Sequence, residues 1–420
     1  MINFIISLFS NAGIILGIVA LVGLLAQKKS GTEVFTGTAK TIIGFLIFSV
    51  GATTITGSLQ NFNTLFTNGF HVSGIFASPE AATALAQNEY GTVVSLTLIF
   101  GFVMNIVFAR ITPLKNIFFT GQHLLYFACV LALILKFYGL TDWITILLGG
   151  AILGLCSAGL PQICQPFMRK LTGSDKQAIG HFNMVGYALA GTLGMLFRKY
   201  QKESAENIKF PKWLSFFKDF LVSVAVIMLI LFYVATLKAG PEATAKIAGT
   251  TNWLVFPLIQ SFTFTAGMAI LLQGVRMFLA EITAAFVAIS EKLIPGSRPA
   301  LDVPTVFPYA PMAVILGFLV SYGAGLLGMV LMIFFGSSVV IIPAAHIAFF
   351  SGGTAGIFGN ATGGWRGAVL GSFVIGLMLS ILPALLYPLF GDMGISGTTF
   401  PNIDYNIIGS LLNSLLSLFK

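Results

Sequence analysis

Charge is what this sequence has least of. Asp, Glu, Lys and Arg make up 9% of its 420 residues, against roughly 25% in soluble globular proteins. That shortage excludes a disordered chain and a soluble nucleic-acid-binding domain. Cysteine is nearly as scarce, with Cys129, Cys156 and Cys164 only. Three thiols cannot all pair within one chain and none has metal-ligand spacing, so they read as structural thiols rather than a disulfide framework. A phosphate loop is also missing: Gly31 to Thr41 has glycines and a lysine, but not the contiguous Gly-Lys at the required spacing. No nucleotide-binding domain is present, so ATP hydrolysis does not drive this chain. No nucleophile–base pair and no metal motif is visible, and we expect no catalytic residue, no metal and no cofactor.

Apolar residues fill the space. They account for 56% of the chain, with 40 phenylalanines and 46 glycines. Long apolar stretches run at about 11–26, 41–58, 92–109, 116–137, 143–160, 178–197, 220–237, 253–272, 275–294, 312–335, 337–358 and 365–390. At ~20 residues per span they predict an all-α polytopic membrane protein, with room for about ten or eleven crossings. The first segment, Ile5 to Ala26, ends at Gln27-Lys28-Lys29 without a small-residue cleavage site, and is expected to be a retained helix. Lys40 is expected to begin a helix and snorkel to the interface. The net charge of +8 sits mostly in the gaps, above all from Arg198 to Lys218, which places that loop and Lys28-Lys29 in the cytoplasm. Five stretches lie between these two sites, an odd number, so one of them is expected to be re-entrant. Phe118 to His123 is the best candidate, because it puts polar residues at membrane depth.

The chain resembles itself. At an offset of 222 residues Trp143 pairs with Trp365, Leu160-Pro161 with Leu382-Pro383, Pro166 with Pro388, and Glu80 with Asp302. His123 misses His346 by one position. Repeat segments of about 80–166 and 302–388 follow, within a single unit covering 1–420. Duplicated halves are a common plan of secondary transporters, which hold substrate where discontinuous helices of the halves meet.

Ionisable groups at membrane depth are expensive and are functional candidates by default. Glu80 follows Ser78-Pro79 in a polar break, and Asp302 is bracketed by Pro299 and Pro304. Either acid suits the hydroxyls of a polyol; either also suits a solvated helix cap. His123 and His181 follow glycine-containing turns, and an imidazole offers a donor and an acceptor. A lone histidine on an apolar face is as readily a satisfied core residue, and His346 is weaker still. Arg276 and Glu281 share one apolar stretch and read as members of a buried structural ion pair, with each other or with the opposite half.

Lys40-Thr-Ile-Ile-Gly-Phe45, Gln273-Gly-Val-Arg-Met-Phe278 with Ala280-Glu281, Leu293-Ile-Pro-Gly296 with Ala300 and Asp302, Gly336-Ser-Ser338 with Ile341-Ile-Pro343, Gly363-Gly-Trp-Arg366 and Phe210-Pro-Lys-Trp-Leu214 together resemble the ascorbate-specific IIC permease of the bacterial phosphotransferase system. The similarity covers nearly the whole chain. It implies an eleven-helix, homodimeric, multi-pass permease of the cell (inner) membrane, with a V-shaped scaffold domain and a core domain that binds sugar at their interface. It further implies membrane lipid as surroundings, and L-ascorbate or a related sugar as substrate, phosphorylated on arrival by a separate IIB protein that IIA recharges. The family's substrate contacts fall on Pro79 and Glu80, where ascorbate members often have Thr-Tyr, and on Gln122, in place of a histidine and next to His123. They fall also on Tyr126 and Phe182, each in place of a glutamine, and on His181 and Asp302, which match. These departures bear on which sugar is carried rather than on the scaffold.

Overall fold

The computed structural model describes residues 12–71, 74–208, 219–294 and 296–419. The start of the first apolar segment and the stretch 209–218 of the basic loop lie outside the described residues. Helices α1 (Ala12–Ala26) and α2 (Gly31–Phe70) open the chain. Strand β1 (Gly74–Phe76) leads into α3 (Pro79–Ile111), and β2 (Asn116–Phe118) into α4 (Gly121–Phe137). Next come α5 (Asp142–Thr172), β3 (Ala178–Ile179) and α6 (Met184–Gly194). The second half has α7 (Phe220–Ala248), α8 (Phe256–Leu293), β4 (Arg298–Leu301), α9 (Pro311–Phe334) and β5 (Val340–Ile342). A helical turn Ala345–Ile347 and a π-helical segment Ala348–Gly352 then run into α10 (Gly353–Ile381), followed by α11 (Pro383–Asp392) and α12 (Ile403–Ser417).

The protein is all-α and polytopic. Among the described residues seven helical segments are long and apolar enough to cross a membrane, with shorter apolar helices at Leu16–Ala26 and Gly121–Phe137. Several boundaries move relative to the apolar stretches. Lys40 lies inside α2 rather than at its start, because Ser30 and Glu33 form a reciprocal cap ten residues earlier. The two stretches split at Gln273-Gly274 are one continuous helix, α8. The break expected near 118–123 is present as a strand end at Phe118 and a helix start at Gly121, but α4 itself is enclosed by protein, every residue from Leu124 to Leu135 being buried. Helix α10 is broken at Gly364, whose φ of +65° favours glycine, and whose Cβ would run into the carbonyls of Tyr200 and Glu203.

Glycine fixes the closest helix contact. Gly37, Gly44 and Gly51 recur every seven residues along α2, nearly two turns, and so share one face. A Cβ on Gly274 of α8 would fall on the backbone of Phe48, and one on Gly44 on the backbone of Phe278. Small residues let two backbones approach in this way in membranes, where packing rather than hydrophobicity joins helices. Gly274→Ala is therefore expected to force α2 and α8 apart at a cost of about 1–3 kcal/mol, read as a lower unfolding midpoint of the detergent-purified protein. An unchanged midpoint would show that this seam is not tight.

The five short strands join the two halves. β1 pairs in parallel with β5, placing Phe76 opposite Ile342, and β2 pairs in parallel with β4, placing Phe118 opposite Ala300. β3 adds to the other edge of β4, with Ala178 opposite Ala300. Each strand satisfies backbone groups that a broken helix would leave bare in a water-poor interior.

Candidate functional site

Chain breaks beside paired strands put helix starts side by side. Glu80 lies four residues beyond Phe76, and His346 four beyond its partner Ile342. The side chains meet, with His346 Nε2 3.0 Å from Glu80 Oε2, and both are buried. Ser78 caps α3 by accepting from the Ala81 N–H, and donates its own hydroxyl to Glu80 Oε2 at 2.9 Å. The second sheet repeats the device. β2 delivers Gln122 and β4 delivers Asp302, and Gln122 Nε2 donates to Asp302 Oδ2 at 3.0 Å. Asp302 Oδ1 in turn accepts from the Val303 N–H at 2.8 Å.

β3 brings the remaining ligand. Gly180 N–H donates to the Leu301 carbonyl at 2.7 Å, and a Cβ on Gly180 would collide with Ala300, so the turn into His181 needs a glycine for close approach. Beyond the membrane helices, Asp175 holds this loop to β4. Its carboxyl is drawn below the usual carboxylate range by the Gln165 amide first, with burial opposing and Arg298 and Arg169 assisting.

Seven of the eight residues expected from the sequence line one cavity of about 90 Å³: Pro79, Glu80, Gln122, His123, Tyr126, His181 and Asp302. Phe182 does not. Its ring is fully buried in an aromatic cluster, stacked on Phe118 at 4.7 Å and packed on Phe127 and Tyr405. The turn at Gly180 directs His181 toward the cavity, and the next side chain away from it. The cavity also takes in His346, which the sequence ranked low, and Arg276. Of the two pairings expected for Arg276, the one with Glu281 is not formed. Five residues along a helix is about 140° of rotation, so the two leave on different faces. Glu281 reaches α2 beside Gly37 while Arg276 turns to the cavity, and no salt bridge joins them among the described residues.

What the sequence did not single out is α12. Asp404 is fully buried and accepts from the Met184 and Val185 N–H groups at 2.8 and 3.1 Å, capping α6 behind His181. Tyr405 Oη contacts both the carbonyl and Nδ1 of His123. Asp404-Tyr405-Asn406 is a polar run just inside an otherwise apolar C-terminal helix, and that was the available signal.

Chemically, the cavity is rich in hydrogen-bond acceptors and holds one guanidinium. His123, His181 and Asp302 each bring a ligating atom within 4.8 Å of the others, the one such group among the described residues. That spacing fits a small cation or a hydroxyl.

The sequence matches, over residues 7–404, the family described as the PTS system sugar-specific permease component. A relative from Mycoplasma pneumoniae, named as an ascorbate-specific PTS system EIIC component, is 28% identical over 425 residues; the alignment takes in 87% of this chain and 63% of the relative. An apolar helical body broken at paired strand ends, with a polar cavity at the breaks, fits that match along its length, and the chain belongs to the sugar-specific permease components of the phosphotransferase system.

Proposed function

We propose that the chain is the membrane component through which L-ascorbate enters, the sugar being phosphorylated on the cytoplasmic side by a separate IIB protein that IIA recharges. The observation that carries this reading is the cavity itself. Four chain breaks from both halves converge there, at Glu80, Gln122–His123, His181 and Asp302, each aimed by a strand end. Such polar groups are costly inside a membrane body unless a ligand uses them. Arg276 supplies the positive charge that an enolate needs against the carboxylates of Glu80 and Asp302, and His346 engages Glu80 at 3.0 Å. The phosphoryl-transfer residues would then lie on the partners, leaving this chain a transporter rather than an enzyme.

The two carboxylates favour one second reading, a neutral pentose or pentitol carried by the same machinery. An anion ~4–6 Å from an uncompensated carboxylate is opposed by a few kcal/mol at an intermediate effective dielectric. Duplication supports the transporter reading in either case. Strand β1 pairs with β5 and β2 with β4, the exchange expected if β1 and β4, and β2 and β5, are counterparts. We take the halves to form a core that moves as a body against a scaffold held in a homodimer.

Two measurements test this. Vesicles holding the chain with IIA, IIB and a phosphoenolpyruvate-fed carrier should accumulate phosphorylated ascorbate. Concentrative uptake by the chain alone on a proton or sodium gradient would replace this reading with ion-coupled transport. Direct binding to the purified protein should place ascorbate ahead of neutral polyols. Asp302→Asn, Glu80→Gln and His181→Ala should each weaken the best ligand by about 1–3 kcal/mol, roughly five- to 150-fold. If none of them does, the site is elsewhere.

A further inference from the structure

The two pocket histidines have supports of opposite polarity. Tyr405 Oη lies 2.9 Å from the His123 carbonyl oxygen and 3.0 Å from His123 Nδ1. A carbonyl only accepts, so the single phenolic proton is committed to it. The phenol oxygen then faces Nδ1 with a lone pair, and Nδ1 must carry the proton. The free nitrogen of His123, Nε2, is left as an acceptor. A second proton there would make a buried cation beside another imidazole, the two rings being 3.9 Å apart, with no counter-charge bonded to it.

Around His181 the pattern is reversed. The Asn183 carboxamide is oriented by its oxygen, which accepts from the Ile403 N–H at 2.6 Å. Its NH₂ group therefore points the other way, to Ser351 Oγ at 2.8 Å and to His181 Nδ1 at 3.4 Å. Tyr187 Oη approaches the same Nδ1 at 2.7 Å. A nitrogen facing an NH₂ group cannot itself carry a proton toward it. Nδ1 of His181 accepts, and the proton belongs on Nε2.

We propose that His123 and His181 are held as opposite imidazole tautomers, one pocket-side Nε2 accepting and the other donating, so that the pair selects a substrate oxygen that is a hydroxyl. Tyr405, Asn183 and Tyr187 are its positioning residues. A hydroxyl donates to His123 and accepts from His181 at once. A carbonyl, ether or enolate oxygen satisfies only His181 and sets lone pair against lone pair at His123. The ascorbate monoanion keeps one ring hydroxyl, which lies next to the enolate and goes with it to Arg276, so we place a hydroxyl of the side-chain diol between the imidazoles. The inference rests on the sugar-binding reading above for its ligand, but not for its tautomers. It also takes His181 out of the three-residue cation spacing, since one of its ring nitrogens is engaged and the other protonated.

The chain has four histidines, which makes ¹⁵N-histidine spectra of the full-length protein in lipid tractable. Signals are assigned by loss in His123→Gln and His181→Gln. We expect an Nδ1–H pattern for His123 and an Nε2–H pattern for His181. Tyr405→Phe should release His123 from its tautomer while leaving His181 unmoved, a change that a purely structural role would not produce. Saturating ascorbate should shift both signals, and 5,6-O-isopropylidene-ascorbate, whose diol is blocked, should bind about tenfold more weakly or worse. Tyr405→Phe should reduce that preference. Identical tautomers at the two sites in the unliganded protein overturn the proposal whatever the substrate. So does full binding of the blocked analogue. Opposite tautomers in a protein that binds no sugar at all would instead remove the ascorbate reading and leave the tautomer assignment standing.

Discussion

Asp404→Ala is expected to be among the most damaging single substitutions in the chain, although its side chain is not in the cavity. The carboxylate is fully buried and takes the first two N–H groups of α6, Met184 at 2.8 Å and Val185 at 3.1 Å. Helix starts leave such donors without intrahelical partners, and a carboxylate there also meets the positive end of the helix dipole. Alanine strands both donors where no water reaches them. Each buried unsatisfied group costs about 1–3 kcal/mol, so a loss of about 2–6 kcal/mol is expected. α12 and α6 would part together, because the backbone of Ile403 also holds Asn183. Asp404→Asn keeps one accepting oxygen and should recover part of the loss. Unfolding of the three proteins in one detergent decides the matter: if the alanine variant melts with the parent, α12 does not brace the site.

The second large effect concerns Glu80 and His346. Both are buried, 3.0 Å apart, and they come from opposite halves of the chain. Removing one partner of a buried pair leaves the other uncompensated, at about 3–5 kcal/mol, whereas replacing both with uncharged groups of similar size is often nearly neutral. His346→Ala should therefore destabilise more than the double change Glu80→Gln with His346→Gln. A double-mutant cycle with the matching single glutamine variants should return a coupling of roughly 0.5–3 kcal/mol. Additive single effects would mean that the two groups do not depend on each other.

The candidate residues were legible for a chemical reason. In a chain with so few charges, an acid near a proline in a break between apolar stretches is conspicuous, and Glu80 and Asp302 both end up in the cavity. Position along a helix was harder to read. Arg276 stood out as a cation in an apolar stretch, but neither its exposure nor the face it takes could be read from the pattern. Phe182 was carried to the pocket by family position, while its neighbour's turn at Gly180 sends the ring into the core.

By itself the sequence determined the class of the molecule and some of the places where its helices break. Twenty-residue apolar runs have few alternatives to spanning a bilayer, and proline marks a helix start at Pro79 and Pro311, although it lies inside helices at Pro161, Pro166, Pro241 and Pro388. Only the tertiary structure decided which broken ends meet. Strands of two to four residues carry no periodicity that could announce their partners. Nor could apolar patterning separate the enclosed α4 from helices whose faces remain exposed, such as α5 with Trp143 and Leu147, because lipid tails are as apolar as leucine. The brace at Asp404 and Tyr405 lies more than two hundred residues from the His181 and His123 that it serves, and hydrogen bonds over that separation exist only once the chain has folded.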